Sequence, residues 1–397
     1  MRSDVLIVGA AAAGLTVAET LRRKGFVGSI RMVGDEPHPP YDRPPLSKQV
    51  LAGEWEPARA ALRSSEVIDA LDMRLDLGVK ATALNVIDHT VAFDDGTVGE
   101  YGSLVIATGL RPRQLPDWDG IHGVQSLHSL SDSLRLREQL TGARDVVIAG
   151  AGVLGCEMAA TARKFGAKVT IIDPVPSPML RVVGEALGAR IRALHEAHGV
   201  EFRLETMVRD IIADGGRVVG VDVGDEVIPA DIVVVSIGSS PATGWLESSG
   251  LELADGVVCD ANCRAAEDVY AAGDVARWYD KRRDAHVRFE NRTNASEQGM
   301  LVARNILGEE LDYTPIAYFW TDQYDVKIQV YGTVPDGATV ETIEDEPERN
   351  RFLVRAISDG RVTGVVGWNN PRGVRMARQE IVDSELARQE SLETRVR

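Results

Sequence analysis

The chain has 397 residues, of which 26% are charged and 44% apolar, and carries a formal net charge of −16. That length suits two or three domains, each with a core of its own. The acidity argues against nucleic acid or an anionic membrane as the main partner, and no run approaches the roughly 18 to 20 apolar residues of a membrane helix. An apolar strand begins within the first few residues and leaves no room for a signal peptide, so a cytoplasmic enzyme is expected. The three cysteines, Cys156, Cys259 and Cys263, form no C-x-x-C pair and no even set. They read as inert buried thiols.

Val5 to Gly14, VLIVGAAAAG, is an apolar strand that breaks at Gly9 into small residues and opens a helical pattern with Leu15, Ala18 and Leu21. Such a turn lets the backbone approach a pyrophosphate, whose charge then rests on the helix N-terminus. A second strand, Ser29 to Val33, runs into Gly34-Asp35-Glu36, close to the expected distance of about 20 residues for a ribose-binding acid. Pro37 to Lys48, PHPPYDRPPLSK, holds five prolines and supports neither a helix nor a central strand. It reads as a stiff loop that presents side chains to a ligand. Alternating strands follow between Leu77 and Phe93, and Asp94-Asp95-Gly96 marks a hairpin turn. The first module closes with LVIATG, ending at Gly109.

After a connector at 110–120 the pattern repeats. Val146 to Gly155, VVIAGAGVLG, has all three signature glycines at Gly150, Gly152 and Gly155. Val169 to Ile172 runs into Asp173, and VVVSIG ends at Gly238. One Gly-rich turn is weak support for dinucleotide binding. Two turns, each followed by an acid-ended strand and a closing strand, establish a duplicated module. At Gly273-Asp274 a helix-like segment is expected to open as the chain returns to the first domain. From Thr314 aromatic and β-branched residues alternate between turn signals, which predicts a small antiparallel C-terminal domain. The charged tail from Ala377 reads as a helix, solvated at its end.

Six motifs carry a family resemblance over the whole chain: VGDEPHPPYDRPPLSK at 33–48, IATG at 106–109, AGAGVLGCE at 149–157, YAAGDVA at 270–276, TNASEQG at 293–299 and FWTDQYD at 319–325. Together they resemble the NADH-dependent ferredoxin or rubredoxin reductases of the glutathione-reductase superfamily. The resemblance implies an α/β fold with two Rossmann-like domains and a small C-terminal α+β domain. FAD would occupy residues 1–111 and 244–315, NADH 112–243, and 316–397 would form an interface domain.

The resemblance also implies the site. Gly9, Ala13, Gly14, Asp35, Glu36, Ala81, Thr108, Gly109 and Gly273 would contact FAD, with Asp274 accepting from the ribityl hydroxyls at a helix N-terminus. Arg43, Lys48, Arg292 and Trp320 would lie at the flavin. Gly150, Gly152, Leu154, Gly155, Asp173 and Gly238 would bind NADH. Lys48 and Glu157 would form a catalytic ion pair. Electrons would pass to a [2Fe-2S] ferredoxin, or a rubredoxin, that serves a haem monooxygenase or Rieske dioxygenase, docked near Arg63, Lys327 and Trp320 with Arg292 and Arg304 beside them. Two positions depart from the family: Ala11 replaces the middle glycine of the first turn, and Arg292 stands where an apolar or aromatic residue is usual. Leu46-Ser47-Lys48-Gln49 occupies the place where disulphide reductases carry cysteine, which excludes them. An NADH oxidase and a flavin-binding signalling protein of the apoptosis-inducing-factor type are the alternatives.

Overall fold

Runs of branched apolar residues, each ended by a small-residue turn, order the parallel cores of two sheets in the same way. The computed structural model describes residues 2–114 and 116–396. By contacts it divides into two compact units. One comprises the chain up to Arg43, Pro57–Arg111 and Ser239–Pro315; the other comprises Pro44–Glu56, Pro112–Gly238 and the chain from Ile316. Residues 112–238 of the expected second domain and the expected C-terminal domain thus fall in one unit with Pro44–Glu56, while 239–243 belong to the other.

In the first unit, strand Arg2–Val8 lies between Ile30–Gly34 and Val98–Ile106, parallel to both, with Val5 opposite Ile30 and Ser103. Arg74–Leu77 extends the sheet beyond Ile30–Gly34, and Val269–Ala271 extends it beyond Val98–Ile106. Leu6, Ile7, Leu104 and Val105 are fully buried, so the central strands are apolar on both faces, as a covered parallel sheet requires. Helices Ala12–Arg23 and Arg292–Ile306 pack together, and Gly299 permits this: a Cβ there would stand 2.7 Å from the Ala13 carbonyl oxygen. The chain therefore does return to the first module.

It does so without the helix expected at Gly273-Asp274. Gly273 has φ 80°, and the two residues turn directly into strand Ala276–Asp280, which pairs with Val257–Cys259 and Ala285–Val287. Ala276, Trp278 and Asp280 are buried while Arg277 and Tyr279 are partly exposed, a two-residue period that outweighs the glycine-acid helix signal. Trp278 packs edge-on against Phe289 and Tyr313 and donates its indole N–H to the Tyr313 carbonyl.

In the second unit the parallel order is Val200–Leu204, Lys168–Asp173, Asp145–Ala149, Ile232–Val235 and Val124–Gln125. A five-stranded antiparallel sheet follows, from Tyr318–Gln323 to Arg361–Trp368, and then helix Pro371–Val396. The side chains of 389–396 lie outside the described residues, and with them the expected solvation of the tail's end. Pro44–Ser47 forms one 3₁₀ turn, with Leu46 and Ser47 buried.

Candidate dinucleotide sites

The two Gly-rich turns share a geometry. Gly9 leaves its strand at φ 123° and Gly150 at φ 115°. A Cβ on either would lie 2.1 Å from a carbonyl oxygen of the closing strand's end, Ala107 or Ser236. Glycine is therefore required at both. Gly14 and Gly155 let each helix settle on its turn, since a Cβ would meet the Gly9 oxygen at 2.1 Å or the Gly150 oxygen at 2.0 Å. Gly152, in contrast, has no atom within 4 Å of a Cβ position. Its backbone faces open space.

Gly152 and its counterpart Ala11 are the N-caps of helices Val153–Lys164 and Ala12–Arg23, and neither makes a side-chain capping bond. The first-turn N–H groups of both helices are thus left for a ligand, at the positive end of the helix dipole. Two such cradles fit two pyrophosphates. Leu154 is in the first turn of the second helix, and Gly238, at φ 99°, ends the segment after the closing strand.

In the first unit a cavity of about 520 Å³ opens beside Gly9 and is lined by Asp35, Glu36, Arg43, Ala81 and Thr108, all expected there. Arg111, Trp245 and Ala242 also line it. No signature pointed to these three, although Arg111 follows IATG by two residues. Asp35 pairs with Arg111 at 3.0 Å; Glu36 accepts from the Tyr41 hydroxyl and from Arg43 at 2.8 Å. Thr108 donates its hydroxyl to the Ala242 carbonyl. Ala13 and Gly14 lie in the first turn of helix Ala12–Arg23; a Cβ on Gly273 would stand 3.1 Å from that of Ala13, and the Gly273 N–H donates to Gln298 Oε1. Gly109 has φ 65°. Arg292 is bound to Asp42 and to the Ser296 hydroxyl, so its guanidinium ties the Pro-rich loop to helix Arg292–Ile306.

Asp274 sits in the turn before strand Ala276–Asp280. Burial, reinforced by the nearby Glu290 and opposed by Arg43 and Arg288, pushes its carboxyl up to about 7. Between about pH 4 and pH 7 the folded protein then holds a proton that the unfolded chain releases, so stability falls as pH rises across that window. Thermal midpoints of FAD-stripped protein from pH 4.5 to 7.5 should show this fall, and Asp274→Asn should flatten it. An unchanged slope in the variant would exclude Asp274 as its source.

In the second unit Asp173 ends its strand with both carboxylate oxygens engaged. Oδ2 accepts from the Ala151 N–H of the Gly-rich turn at 2.6 Å, and Oδ1 from Val175 N–H at 2.9 Å. Glu157, in helix Val153–Lys164, is buried. Lys48 Nζ approaches its Oε1 at 2.8 Å, the Ser47 hydroxyl donates to Oε2 at 2.5 Å, and the Thr321 hydroxyl donates to Oε1 at 2.7 Å. Trp320, next to Thr321 in strand Tyr318–Gln323, is partly exposed and stacks on Tyr318. The FWTDQYD motif and the Pro-rich loop thus meet at one carboxylate.

The four cations expected to receive a partner each hold an acid: Arg63 with Glu19, Arg292 with Asp42, Arg304 with Glu309 and Lys327 with Asp322. The three cysteines are free and buried, and burial raises all three thiols, Cys263 to about 12. Raised thiols are poor nucleophiles, as the inert reading requires. Among the described residues no helix is long and apolar enough to cross a membrane.

Two uncapped Gly-turn helices, each after a parallel strand and each followed by an acid-ended strand, define a two-dinucleotide oxidoreductase. The pyridine nucleotide-disulphide oxidoreductase family matches residues 3–299, and the reductase C-terminal family matches 318–394. The ferredoxin--NAD(+) reductase component of the anthranilate 1,2-dioxygenase system of Burkholderia cepacia is 36% identical over 382 residues, 95% of this chain and 93% of the relative. Rhodocoxin reductase of Rhodococcus erythropolis is 34% identical over 386 residues, 96% and 90% of the two chains. The covalent putidaredoxin reductase–putidaredoxin complex contains a chain that superposes with a TM-score of 0.91 at 32% identity, covering 96% of this chain and 93% of the other. The ferredoxin reductase for the CYP199A2 system of Rhodopseudomonas palustris gives 0.89 at 30% identity, covering 92% and 91%. The chain belongs to the pyridine nucleotide-disulphide oxidoreductase family and is an oxidoreductase with FAD and NADH as its cofactors.

Proposed function

We propose that this protein is a ferredoxin reductase that carries electrons from NADH through FAD to a [2Fe-2S] ferredoxin, or a rubredoxin, serving a haem monooxygenase or Rieske dioxygenase in the cytoplasm. The observation that carries the reading is the pairing of Lys48, in the segment where disulphide reductases hold cysteine, with the buried Glu157. Bound FAD supplies the chemistry, accepting two electrons as a hydride and releasing them singly. This chain's residues bind and orient. Gly9 and the N–H groups after Ala11 receive the FAD pyrophosphate, Asp35 or Glu36 its adenosine ribose, and Asp274 its ribityl hydroxyls. Gly150, Gly152, Leu154, Gly155 and Asp173 receive NADH. Lys48 supplies a cation for the charge that develops on reduction, and Glu157 keeps that cation in place. Trp320 would serve as the aromatic cover of the flavin.

We assign ferredoxin docking to the charges of Arg63 and Lys327 and to Trp320, with Arg292 and Arg304 in support. Because each cation already holds a carboxylate, steering should be modest, a fall of about threefold in ferredoxin reduction between low and high salt. The test is an anaerobic NADH titration followed by mixing with candidate ferredoxins at several ionic strengths. Reoxidation of the flavin by ferredoxin supports the reading. Reoxidation by oxygen alone favours the oxidase, and no NADH turnover favours a signalling flavoprotein. Salt-independent ferredoxin reduction removes the charge docking alone.

A further inference from the structure

A buried chain of hydrogen bonds runs into Glu157 from the C-terminal sheet, and satisfying every partner fixes its direction. Gln323 Nε2 donates to the Thr321 hydroxyl oxygen and to Met179 Sδ, each at 3.3 Å. Gln323 Oε1 is then the acceptor for His195 Nε2 at 2.9 Å. This assigns the His195 proton to Nε2, so Nδ1 accepts from the Tyr324 hydroxyl at 3.2 Å. With its oxygen accepting from Gln323, Thr321 turns its own proton to Glu157. Each link therefore donates toward the carboxylate. Thr321, Gln323 and His195 are all 0% exposed.

The chain does not suit proton conduction. A side-chain amide passes a proton on only by becoming an imidic acid, and Gln323 interrupts the path. Burial also keeps His195 neutral, its pKa lowered to about 4. What remains is a brace, built from groups whose rotations are mutually locked.

We propose that Thr321 is a positioning residue for hydride transfer: braced by Gln323 and His195, it fixes the Glu157 carboxylate and through it the Lys48 ammonium. The inference rests on the role proposed above for Lys48 and Glu157. Ser47 and Lys48 still hold the carboxylate when Thr321 is changed, so the expected loss is one of orientation.

The test is a mutant cycle on the holoenzyme. Thr321→Val keeps the shape and removes the hydroxyl; it should slow single-turnover flavin reduction at saturating NADH by about 5- to 10-fold, the net worth of one ordinary hydrogen bond, with KM little changed. Thr321→Ser should restore the rate to within about twofold, because the donor returns. Glu157→Met removes the acceptor, and adding Thr321→Val to it should cost nothing further if the threonine acts only through the carboxylate. Thermal midpoints of the wild-type, Thr321→Val, Glu157→Met and doubly substituted holoenzymes give a readout independent of turnover: the loss from Thr321→Val should vanish in the Glu157→Met background. A wild-type rate in Thr321→Val, no recovery in Thr321→Ser, or equal losses in both backgrounds would overturn the inference. If Glu157→Met itself reduces its flavin at the wild-type rate, the underlying role of Glu157 fails first and the inference falls with it.

Discussion

Lys48→Met is expected to slow flavin reduction at saturating NADH by about 10- to 100-fold while leaving FAD content nearly unchanged. The substitution keeps the length and apolar stem of the side chain and removes only the ammonium. The Lys48 side chain is 11% exposed, and its ammonium lies 2.8 Å from the carboxylate of Glu157, whose side chain is 6% exposed. A cation held so far out of water acts through a low effective dielectric, and it is already in place before charge develops, so no reorganisation opposes it. Losing one partner of a buried pair is usually costly, since the other charge is stranded. Here Glu157 keeps the Ser47 and Thr321 hydroxyls as donors, which limits that cost. FAD retention should hold because the cavity beside Gly9 and the uncapped helix after Ala11 belong to the first unit and do not include Lys48. Stopped-flow reduction decides the matter. An unchanged single-turnover rate would leave Lys48 as a loop anchor with no part in the chemistry.

How far the sequence reveals this site depends on whether a residue's neighbours are near in the chain. The Gly-rich turns are local, since a strand period followed by glycine and a helix period is visible within ten residues, and both cradles were legible. Asp274 was legible as an acid after AAG but not in its setting. Glycine followed by an acid is equally a turn signal and a helix-start signal, and only the alternating burial of Ala276, Trp278 and Asp280 decides between them. The partners of Glu157 come from 110 residues before it and 164 after it. Nothing in local periodicity joins Ser47, Glu157 and Thr321; only the fold of the second unit does. The ion pairs that occupy Arg63, Arg292, Arg304 and Lys327 were hidden for the same reason, since residue type announces a charge but not its partner.

NADH is expected to exceed NADPH in kcat/KM by roughly 10- to 100-fold or more, and the placement of Asp173 is the reason. Its carboxylate closes the strand Lys168–Asp173 and is fixed on both sides, by the Ala151 N–H of the Gly-rich turn and by the Val175 N–H beyond it. Capping the turn does not compete with ribose binding. Each carboxylate oxygen has two lone pairs, so the second pair on each remains for the 2′- and 3′-hydroxyls of an adenosine ribose. A 2′-phosphate at that point would bring like charges together. At about 4 to 5 Å and an effective dielectric near 20 the repulsion is roughly 3 to 4 kcal/mol, which solvent screening halves. The segment after Asp173 offers no compensating cation, since Pro174-Val175-Pro176-Ser177-Pro178 precedes the first arginine, Arg181, exposed on helix Leu180–Ala197. Steady-state comparison of the two nucleotides at one ionic strength measures the preference. Equal values, or a preference for NADPH, would mean that Arg181 or another base reaches the phosphate, and that Asp173 serves the turn alone.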